Sequence, residues 1–184
     1  MITPGPWERL VSLLRERSVQ RRKVVLASGR ESDFYVDARQ TTLHAEGAAL
    51  IAELLLERLL PEVEGLGGPV TGADPIAGAV AALSWSRGRP VHGFMVRKEP
   101  KGHGLRLWVE GRGNLPDGTP VCVVEDTTTT GGSLLTAVRR VEESGLRPVQ
   151  VIVVVDRQEG AAELITGAGY PFDALVTRAD LIPE

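Results

Sequence analysis

The segment Val121–Ser133 constrains the fold of this chain more than any other, because its character changes three times within one short run. It reads V-C-V-V-E-D-T-T-T-T-G-G-S. Val121–Val124 is apolar or small and predicts a short strand that is buried on both faces. The carboxylates Glu125 and Asp126 follow, then small hydroxyl residues and glycines, and then an apolar pattern of helical period. The segment therefore predicts a strand, an acidic pair, a loop and a helix, in that order.

A loop of this composition in front of a helix is suited to binding a sugar phosphate. The first N–H groups of a helix, together with its dipole, favour a dianion, and Gly131 and Gly132 allow close approach of the backbone. The two carboxylates can accept hydrogen bonds from sugar hydroxyls or hold metal-bound water. The alternative is an ordinary strand ending in an Asp/Thr-rich turn, with a Ser or Thr side chain capping the next helix.

Length and composition favour a single intracellular domain. The chain has 184 residues, 42% of them hydrophobic, and its net charge of −3 gives no electrostatic basis for general nucleic-acid binding. No run approaches the length of a membrane span, and the N-terminus lacks a signal-peptide pattern. The single cysteine, Cys122, falls inside the predicted buried strand and is expected to be an inert core residue. We expect a cytoplasmic protein that binds neither nucleic acid nor membranes.

Helix-like and strand-like segments alternate along the chain. Apolar residues at helical spacing predict an N-terminal helix to about Ser18, and further helices at Ala45–Leu60, Ile76 to about Ser86, Leu134 onward and Ala161–Ala168. Apolar and β-branched runs predict strands at Pro69–Thr71, Val91–Val96, Val121–Val124, Val149–Val155 and Phe172–Val176.

This alternation predicts an α/β fold: a doubly wound parallel sheet with helices on both faces. The extended segments near Val24–Leu26 and Phe34–Val36 predict a small hairpin-like N-terminal hood outside that sheet. We expect one domain over residues 1–184, with the hood at about 1–40 and the core at about 45–184.

Ligands of such sheets bind beyond the carboxyl ends of the strands. Several polar or glycine-containing segments fall at those predicted ends: Gly72–Gly78, Arg97–His103, Glu125–Ser133 and Asp156–Glu159. We therefore expect these segments to share one site.

Val121–Ser133 resembles the phosphoribosyl-pyrophosphate (PRPP) signature of the type I phosphoribosyltransferases. The resemblance implies that Glu125 and Asp126 hold the ribose hydroxyls. It also implies that the loop after them binds the 5-phosphate, through Thr127, Thr128, Thr129, Thr130, Gly131, Gly132 and Ser133. Gly72–Gly78 matches the pyrophosphate loop of that family more loosely.

The run R-K-E-P-K-G-H-G, residues 97–104, concentrates positive charge in a chain that is otherwise slightly acidic. Cations on a loop over the site would stabilise a leaving pyrophosphate, although a charge run is also typical of a solvated surface loop. The run resembles the catalytic loop of the orotate phosphoribosyltransferases. That resemblance implies a homodimer with active sites shared across the interface, and roles in PRPP binding for Arg97, Lys98, Lys101 and His103. It implies catalytic roles for Lys101, His103 and Asp126.

Two further matches concern the base. Leu26–Arg39 resembles the N-terminal hood of that family, which covers the pyrimidine, although Ala27 stands where many members carry a lysine. Packing of Phe34 and Tyr35 in a strand is the alternative there. Arg157 matches an arginine that binds the orotate carboxylate, since a planar guanidinium pairs bidentately with a carboxylate. Its alternative role is a structural ion pair with Asp156 or Glu159, and Thr129 is expected to face the base.

Together the resemblances imply transfer of a 5-phosphoribosyl group from PRPP to orotate, giving orotidine 5-phosphate and pyrophosphate in pyrimidine (UMP) biosynthesis. The implied cofactor is Mg²⁺, carried in by PRPP rather than held by a protein metal site. The three histidines and one cysteine show no metal-ligand spacing. Two rivals remain: a purine phosphoribosyltransferase with the same PRPP site, and a PRPP-sensing regulator that binds nucleic acid.

Overall fold

The computed structural model describes residues 4–20, 24–25, 31–32, 35–100 and 108–182. Within these residues the helices are α1 (Pro6–Arg17), α2 (Arg39–Thr42), α3 (Ala45–Arg58), α4 (Asp74–Ser86), α5 (Gly132–Glu143), α6 (Ala161–Gly167) and α7 (Arg178–Leu181). The strands are β1 (Val19–Gln20), β2 (Val24–Val25), β3 (Glu31–Ser32), β4 (Tyr35–Val36), β5 (Gly65–Pro69), β6 (His92–Val96), β7 (Val109–Glu110), β8 (Pro120–Thr128), β9 (Arg147–Asp156) and β10 (Phe172–Thr177).

Six of these strands form the main sheet, in the order β10-β9-β8-β5-β6-β7. All neighbouring pairs are parallel except β6 and β7, which pair antiparallel at one edge. The predicted α/β fold with helices on both faces of a parallel sheet is therefore confirmed, with one antiparallel edge strand added. Outside this sheet, β1 pairs with β4 and β2 with β3, both antiparallel. These small pairs come from the segment predicted to form the hood.

The alternation of side chains along the central strands divides the core into two layers. In β8, Cys122 and Val124 join one apolar cluster with α1, α3 and α4, whereas Val121 and Val123 join the other cluster with α5 and α6. Both faces of β8 are thus covered, as expected for a parallel strand between two helical layers. Cys122 is fully buried, which confirms its prediction as a core residue.

Helix α1 packs into the same layer as α3 and α4. Its residues Leu10 and Leu14 are fully buried in that cluster. On its outer side, Arg9 pairs with Glu46 of α3 at 2.5 Å, and the indole Nε1 of Trp7 donates a hydrogen bond to the carbonyl of Leu175 at 2.8 Å. The N-terminal helix is therefore anchored to the sheet and to the helical layer above it.

The predicted strand Pro69–Thr71 is wrong in position, because the strand is Gly65–Pro69. Three of its five residues are glycine, which is depleted in strands and gave no strand signal. The glycines are required here by space. A Cβ on Gly67 would collide with the carbonyl of Phe94, and one on Gly68 with the carbonyl of Val124.

Candidate active site

A cavity of about 600 Å³ opens where β5, β6 and β8 end, at the carboxyl edge of the sheet. Four parts of the chain line it: Tyr35–Arg39 from the N-terminal region, Pro69–Gly72 after β5, Val96–Lys98 after β6, and Glu125–Thr127 of β8. Helix α5 completes the wall with Ser133, Thr136, Ala137 and Arg140. Segments predicted to meet at this edge of the sheet, from Gly72, Arg97 and Glu125 onward, do meet there.

The acidic pair lies inside β8 rather than after it, since the strand continues to Thr128. The reason is that β8 overhangs its neighbour. Its pairing with β5 involves Val121–Val123, whereas its pairing with β9 continues through Thr128. Beyond Val124 one edge of β8 therefore borders the cavity. Consecutive strand residues point to opposite faces of the sheet. Both Glu125 and Asp126 nevertheless line the cavity, because this part of β8 is not paired with β5.

Burial raises the pKa of both carboxyl groups. For Glu125, desolvation and then the neighbouring charge of Asp126 raise the pKa to about 8. For Asp126, desolvation also raises the pKa, while the backbone N–H of Thr127 and the charge of Arg39 oppose the shift. That N–H donates to Asp126 Oδ1 at 2.8 Å. Such partly desolvated acids facing a cavity are typical of functional sites.

Gly72 packs directly against the Asp126 carboxylate. A Cβ at Gly72 would lie 2.5 Å from Asp126 Oδ1 and 2.8 Å from its Cγ. Only glycine therefore fits between the turn after β5 and this carboxylate. The peptide bond between Val70 and Thr71 in the same turn is cis. Of the segment Gly72–Gly78 that matched loosely, only Gly72 lines the cavity, next to Pro69–Thr71 before it.

The predicted phosphate loop joins β8 to α5, and its members have different surroundings. Thr127 and Ser133 line the cavity, whereas Thr128 is buried and is 3% exposed. The Thr127 hydroxyl is buried without a hydrogen-bond partner among the described residues, so it is available to form a hydrogen bond with a ligand. Thr129, Thr130 and Gly131 form the turn and Gly132 begins α5, and none of these four residues is part of the cavity wall.

Gly131 fixes how that loop enters α5. It precedes the helix with φ of 81°, in the left-handed region that favours glycine. A Cβ there would also lie 3.1 Å from Ala161 Cα. The loop is therefore held against the start of α6, and its orientation directs the first turn of α5, with Ser133, toward the cavity.

Basic residues line the same cavity as the acidic pair. Arg97 and Lys98 were predicted, and Arg97 is held by Glu110 at 2.9 Å. Lys101 and His103 lie outside the described residues, as does Ala27, so their predicted roles stay predictions.

Arg39 and Arg140 also line the cavity. Arg39 ends the segment that resembles the hood, but no role was predicted for its side chain, and no motif included Arg140. Arg39 bonds Asp37 at 2.9 Å. Burial alone would raise the pKa of Asp37, but hydrogen bonds from Arg39 and Gln40 bring it below its ordinary value. Arg140 could have been found from spacing, since Ser133, Thr136, Ala137 and Arg140 share one helical face.

Arg157 is buried beside the loop rather than in the cavity wall. Its backbone N–H donates to the carbonyl of Thr128 at 3.0 Å, and its side chain pairs with Glu159 at 3.2 Å. Asp156, the other predicted partner, accepts the backbone N–H of Gln158 at 2.9 Å. The alternative role, a structural ion pair, is thus present with Glu159, and recognition of a substrate carboxylate stays a prediction.

Among the described residues, no group of three or more His, Cys, Asp or Glu side chains is arranged to hold a metal ion. Nor does any helix of that part of the chain have the length and apolarity needed to cross a membrane.

The chain resembles known proteins along almost its whole length. It is 51% identical over 179 residues to an orotate phosphoribosyltransferase of Sorangium cellulosum, an alignment that covers 96% of this chain and 93% of that protein. No family-level sequence profile matches the chain.

Solved structures give the same result. The orotate phosphoribosyltransferase of Mycobacterium tuberculosis H37Rv, in complex with Fe(III) dicitrate, aligns with a TM-score of 0.83 and 42% identity, covering 96% of this chain and 99% of that one. The same enzyme in complex with PRPP aligns with a TM-score of 0.78 and 40% identity, with 96% and 99% covered. This chain therefore belongs to the orotate phosphoribosyltransferase family.

Proposed function

We propose that this chain transfers the 5-phosphoribosyl group of PRPP to N1 of orotate, releasing pyrophosphate and forming orotidine 5-phosphate in pyrimidine biosynthesis. One observation carries the proposal: an acidic pair on an overhanging strand, basic side chains and a helix N-terminus all line one cavity. A molecule with a ribose in the middle, one phosphate at one end and a diphosphate at the other matches that distribution of charge.

The ribose belongs beside Asp126 and Glu125. Both carboxyl groups can accept hydrogen bonds from ribose hydroxyls. The charge of Asp126, which the backbone N–H of Thr127 and the charge of Arg39 support, favours the positive charge that develops on the ribose as its bond to pyrophosphate breaks. The 5-phosphate belongs at the start of α5. Ser133 and the orphaned hydroxyl of Thr127 supply donors there, and the helix dipole favours the anion. The remaining loop residues, Thr128–Gly132, would contribute mainly backbone groups.

The diphosphate belongs beside Arg97 and Lys98. Permanent cations placed there would neutralise the charge that accumulates on the leaving pyrophosphate. Lys101 and His103 are assigned to the same task by family resemblance alone. Orotate is already an anion and needs no strong general base, so the catalytic work is positioning and electrostatic stabilisation.

Orotate belongs near Thr129 and Arg157. The backbone N–H of Arg157 donates a hydrogen bond to the carbonyl of Thr128, which places Arg157 beside the start of the loop. Glu159 already orients the guanidinium. The orotate carboxylate would present the same chemical group to this guanidinium, and a base without a carboxylate would not. This match is the basis on which we assign orotate rather than a purine.

Magnesium fits this arrangement as a companion of the diphosphate. Mg²⁺ prefers one or two carboxylates together with substrate phosphates and water, rather than a complete protein cage. Glu125 and Asp126 supply that number of carboxylates on the cavity wall. When bound, the ion would neutralise phosphate charge, and Glu125 and Asp126 are the residues that would help to hold it.

A homodimer is also part of the proposal, and two exposed apolar side chains support it. Trp85 of α4 is 74% exposed and Met95 of β6 is 38% exposed. Met95 shares a strand face with Gly93, and a Cβ added to Gly93 would lie 3.6 Å from the carbonyl of Ala77 in α4. Both exposed side chains therefore belong to the α4 side of the sheet. A second copy of the chain would cover such a surface. The sharing of active sites and the cytoplasmic location rest on sequence alone.

A base panel tests the proposed reaction. Pyrophosphate release would be measured with PRPP, Mg²⁺ and each of orotate, uracil, adenine, guanine and hypoxanthine. We expect release with orotate only, and a loss of about 10²-fold or more in kcat for Asp126→Asn. Comparable kcat/KM with a purine would identify the purine rival instead, and no release with any base would leave the ligand-binding regulator.

A further inference from the structure

Arg140 contacts two internal segments of the chain that lie next to each other beside the cavity. Its Nη1 donates a hydrogen bond to the carbonyl of Arg97 at 2.9 Å, just after β6. Its guanidinium carbon also lies 3.9 Å from the centroid of the Trp108 ring, just before β7. The backbone N–H of Arg97 donates to the carbonyl of Trp108 at 2.8 Å. Arg140, Arg97 and Trp108 thus form one three-residue cluster, which we call the Arg140 clamp.

The chemistry of the clamp requires arginine. A guanidinium is planar, so it can donate in its plane to a carbonyl while its face lies over an indole ring. A lysine ammonium could keep the charge but has no flat face to stack. The partly buried position of Arg140 and Trp108 makes both contacts stronger than they would be in bulk water.

The clamp fixes the backbone from which the diphosphate cations project. Arg97 is held at its N–H by Trp108, at its carbonyl by Arg140 and at its guanidinium by Glu110. Lys98 follows directly and lines the cavity with Arg97. The freedom of this short backbone segment is therefore limited by Arg140 of α5 together with Trp108 and Glu110 at β7.

Helix α5 also bears the proposed 5-phosphate site at its other end. Ser133 and Arg140 are seven residues apart, which is about 10 Å along a helix axis. One rigid element thus sets the separation between the 5-phosphate donors and the cations for the diphosphate.

We propose that Arg140 is a positioning residue, which acts through Arg97 and Lys98 to hold them at the correct distance from the phosphate loop. This inference rests on the proposed function, because it assigns the diphosphate to those two cations.

The test compares Arg140→Met with Arg139→Met, a control that removes the same charge one residue earlier on the exposed side of α5. For Arg140→Met we expect kcat/KM for PRPP to fall about 10²-fold, the cost expected of slight misplacement. The orotate KM at saturating PRPP should match that of Arg139→Met, and both variants should remain folded at the assay temperature. Equal effects of the two substitutions on PRPP would overturn the proposal.

A double-mutant cycle separates positioning from direct phosphate binding by Arg140. If the clamp acts as a unit, Trp108→Leu should reproduce the loss of Arg140→Met, and the double variant should be no worse than either. Trp108→Phe, which keeps an aromatic face, should recover most of the activity. Multiplied losses in the double variant, or normal activity of Trp108→Leu, would mean that Arg140 contacts PRPP itself and would overturn the positioning role.

A spectroscopic measurement tests the clamp without turnover. Labelling with 5-fluorotryptophan gives one fluorine signal for each of the three tryptophans, and Trp108→Phe identifies the signal of Trp108. Arg140→Met should shift that signal in the ligand-free protein, and Arg139→Met should not. An unchanged signal would disprove the clamp even in an active enzyme. If the wild-type protein showed no turnover, the proposed reaction would be refuted. The comparison of fluorine signals would still test the contact between Arg140 and Trp108.

Discussion

Glu125 is a carboxyl group for which both burial and a neighbouring negative charge oppose ionisation, and its pKa is raised to about 8 from an ordinary value of 4.5. Between those two values the folded protein binds a proton that the unfolded chain has released. The free energy of unfolding therefore falls as pH rises through this window, by at most about 1.4 kcal/mol per pH unit for one group. The contribution of Glu125 to the free energy of unfolding is greatest below pH 4.5 and decreases until the pH has passed about 8.

Glu125→Gln removes this titration while keeping nearly the same shape. We expect the variant to gain stability relative to wild type as pH is raised from about 5 to about 9, as measured by urea unfolding at each pH. Asp126 is also raised in pKa and contributes a slope of the same sign in both proteins. Parallel stability curves for the two proteins would show that Glu125 ionises normally.

Arg157 combines a proposed role in substrate recognition with an observed structural one. Arg157→Ala should raise the KM for orotate by about 10²-fold, within the range for truncating one partner of a buried charge pair. The KM for PRPP should change much less. Steady-state kinetics with each substrate varied in turn checks this, and equal effects on both KM values would argue against carboxylate recognition.

The same substitution removes the Arg157 partner of the half-buried Glu159, which is expected to cost about 1–3 kcal/mol of stability. The double variant Arg157→Ala/Glu159→Gln provides the control, because it removes the uncompensated charge. It should recover much of the lost stability but keep the defect in orotate binding. Recovery of both would make the ion pair purely structural.

At the scale of elements, sequence patterns predicted long segments well and glycine-rich or short ones poorly. The β-branched run around Val149–Val155 lies inside β9, and helix α1 ends one residue before the predicted Ser18. Strand β5 was misplaced because close backbone approach, rather than strand propensity, selects its glycines. The short elements α2, β7 and α7 gave no periodic signal, because each spans fewer than two periods of its helical or strand pattern.

The site was predictable where its residues follow one another along the chain. Glu125, Asp126, Arg97 and Lys98 line the cavity as expected, because the carboxyl ends of parallel strands meet at one edge. Arg39 and Arg140 reach it from a different segment and from the middle of a helix. Tertiary packing brings their side chains to the cavity, and no local motif predicted a role for either side chain.

A matched pair of glycine substitutions tests the account of β5. Gly68→Ala places a Cβ against the carbonyl of Val124, so the strand must shift and the protein should lose several kcal/mol of stability, as overpacked cores do. Gly167→Ala, at the end of α6, meets open space and should stabilise by up to about 1 kcal/mol. Thermal unfolding measures both. A tolerated Gly68→Ala would mean that β5 and β8 can separate without cost.

At the scale of the whole molecule, the charge of the cavity differs from that of the chain. The net charge of the chain is −3, whereas the cavity is lined by the four cations Arg39, Arg97, Lys98 and Arg140 and by the three carboxyl groups of Asp37, Glu125 and Asp126, a small positive excess. Concentrated positive charge in a cleft raises the local concentration of an anionic substrate and weakens with salt. The distribution therefore fits a small, highly charged substrate better than an extended polyanion, which would need a basic surface.

If the active site is shared between subunits, two inactive variants with lesions on different parts of the site should complement each other. Asp126→Asn removes a carboxylate of the acidic pair in one site, and Lys101→Ala removes a loop cation that resemblance assigns to the neighbouring site. Mixed dimers would contain one site with both residues intact. Up to about a quarter of wild-type activity should therefore return after subunit exchange at equal amounts.

Subunit exchange itself would be verified by mass spectrometry of differently tagged chains, so that a negative result can be interpreted. Trp85→Ser should weaken the dimer and, with it, the recovery, since it removes the most exposed large apolar side chain of the described residues. Verified exchange without any recovered activity would show that each chain supplies its own loop.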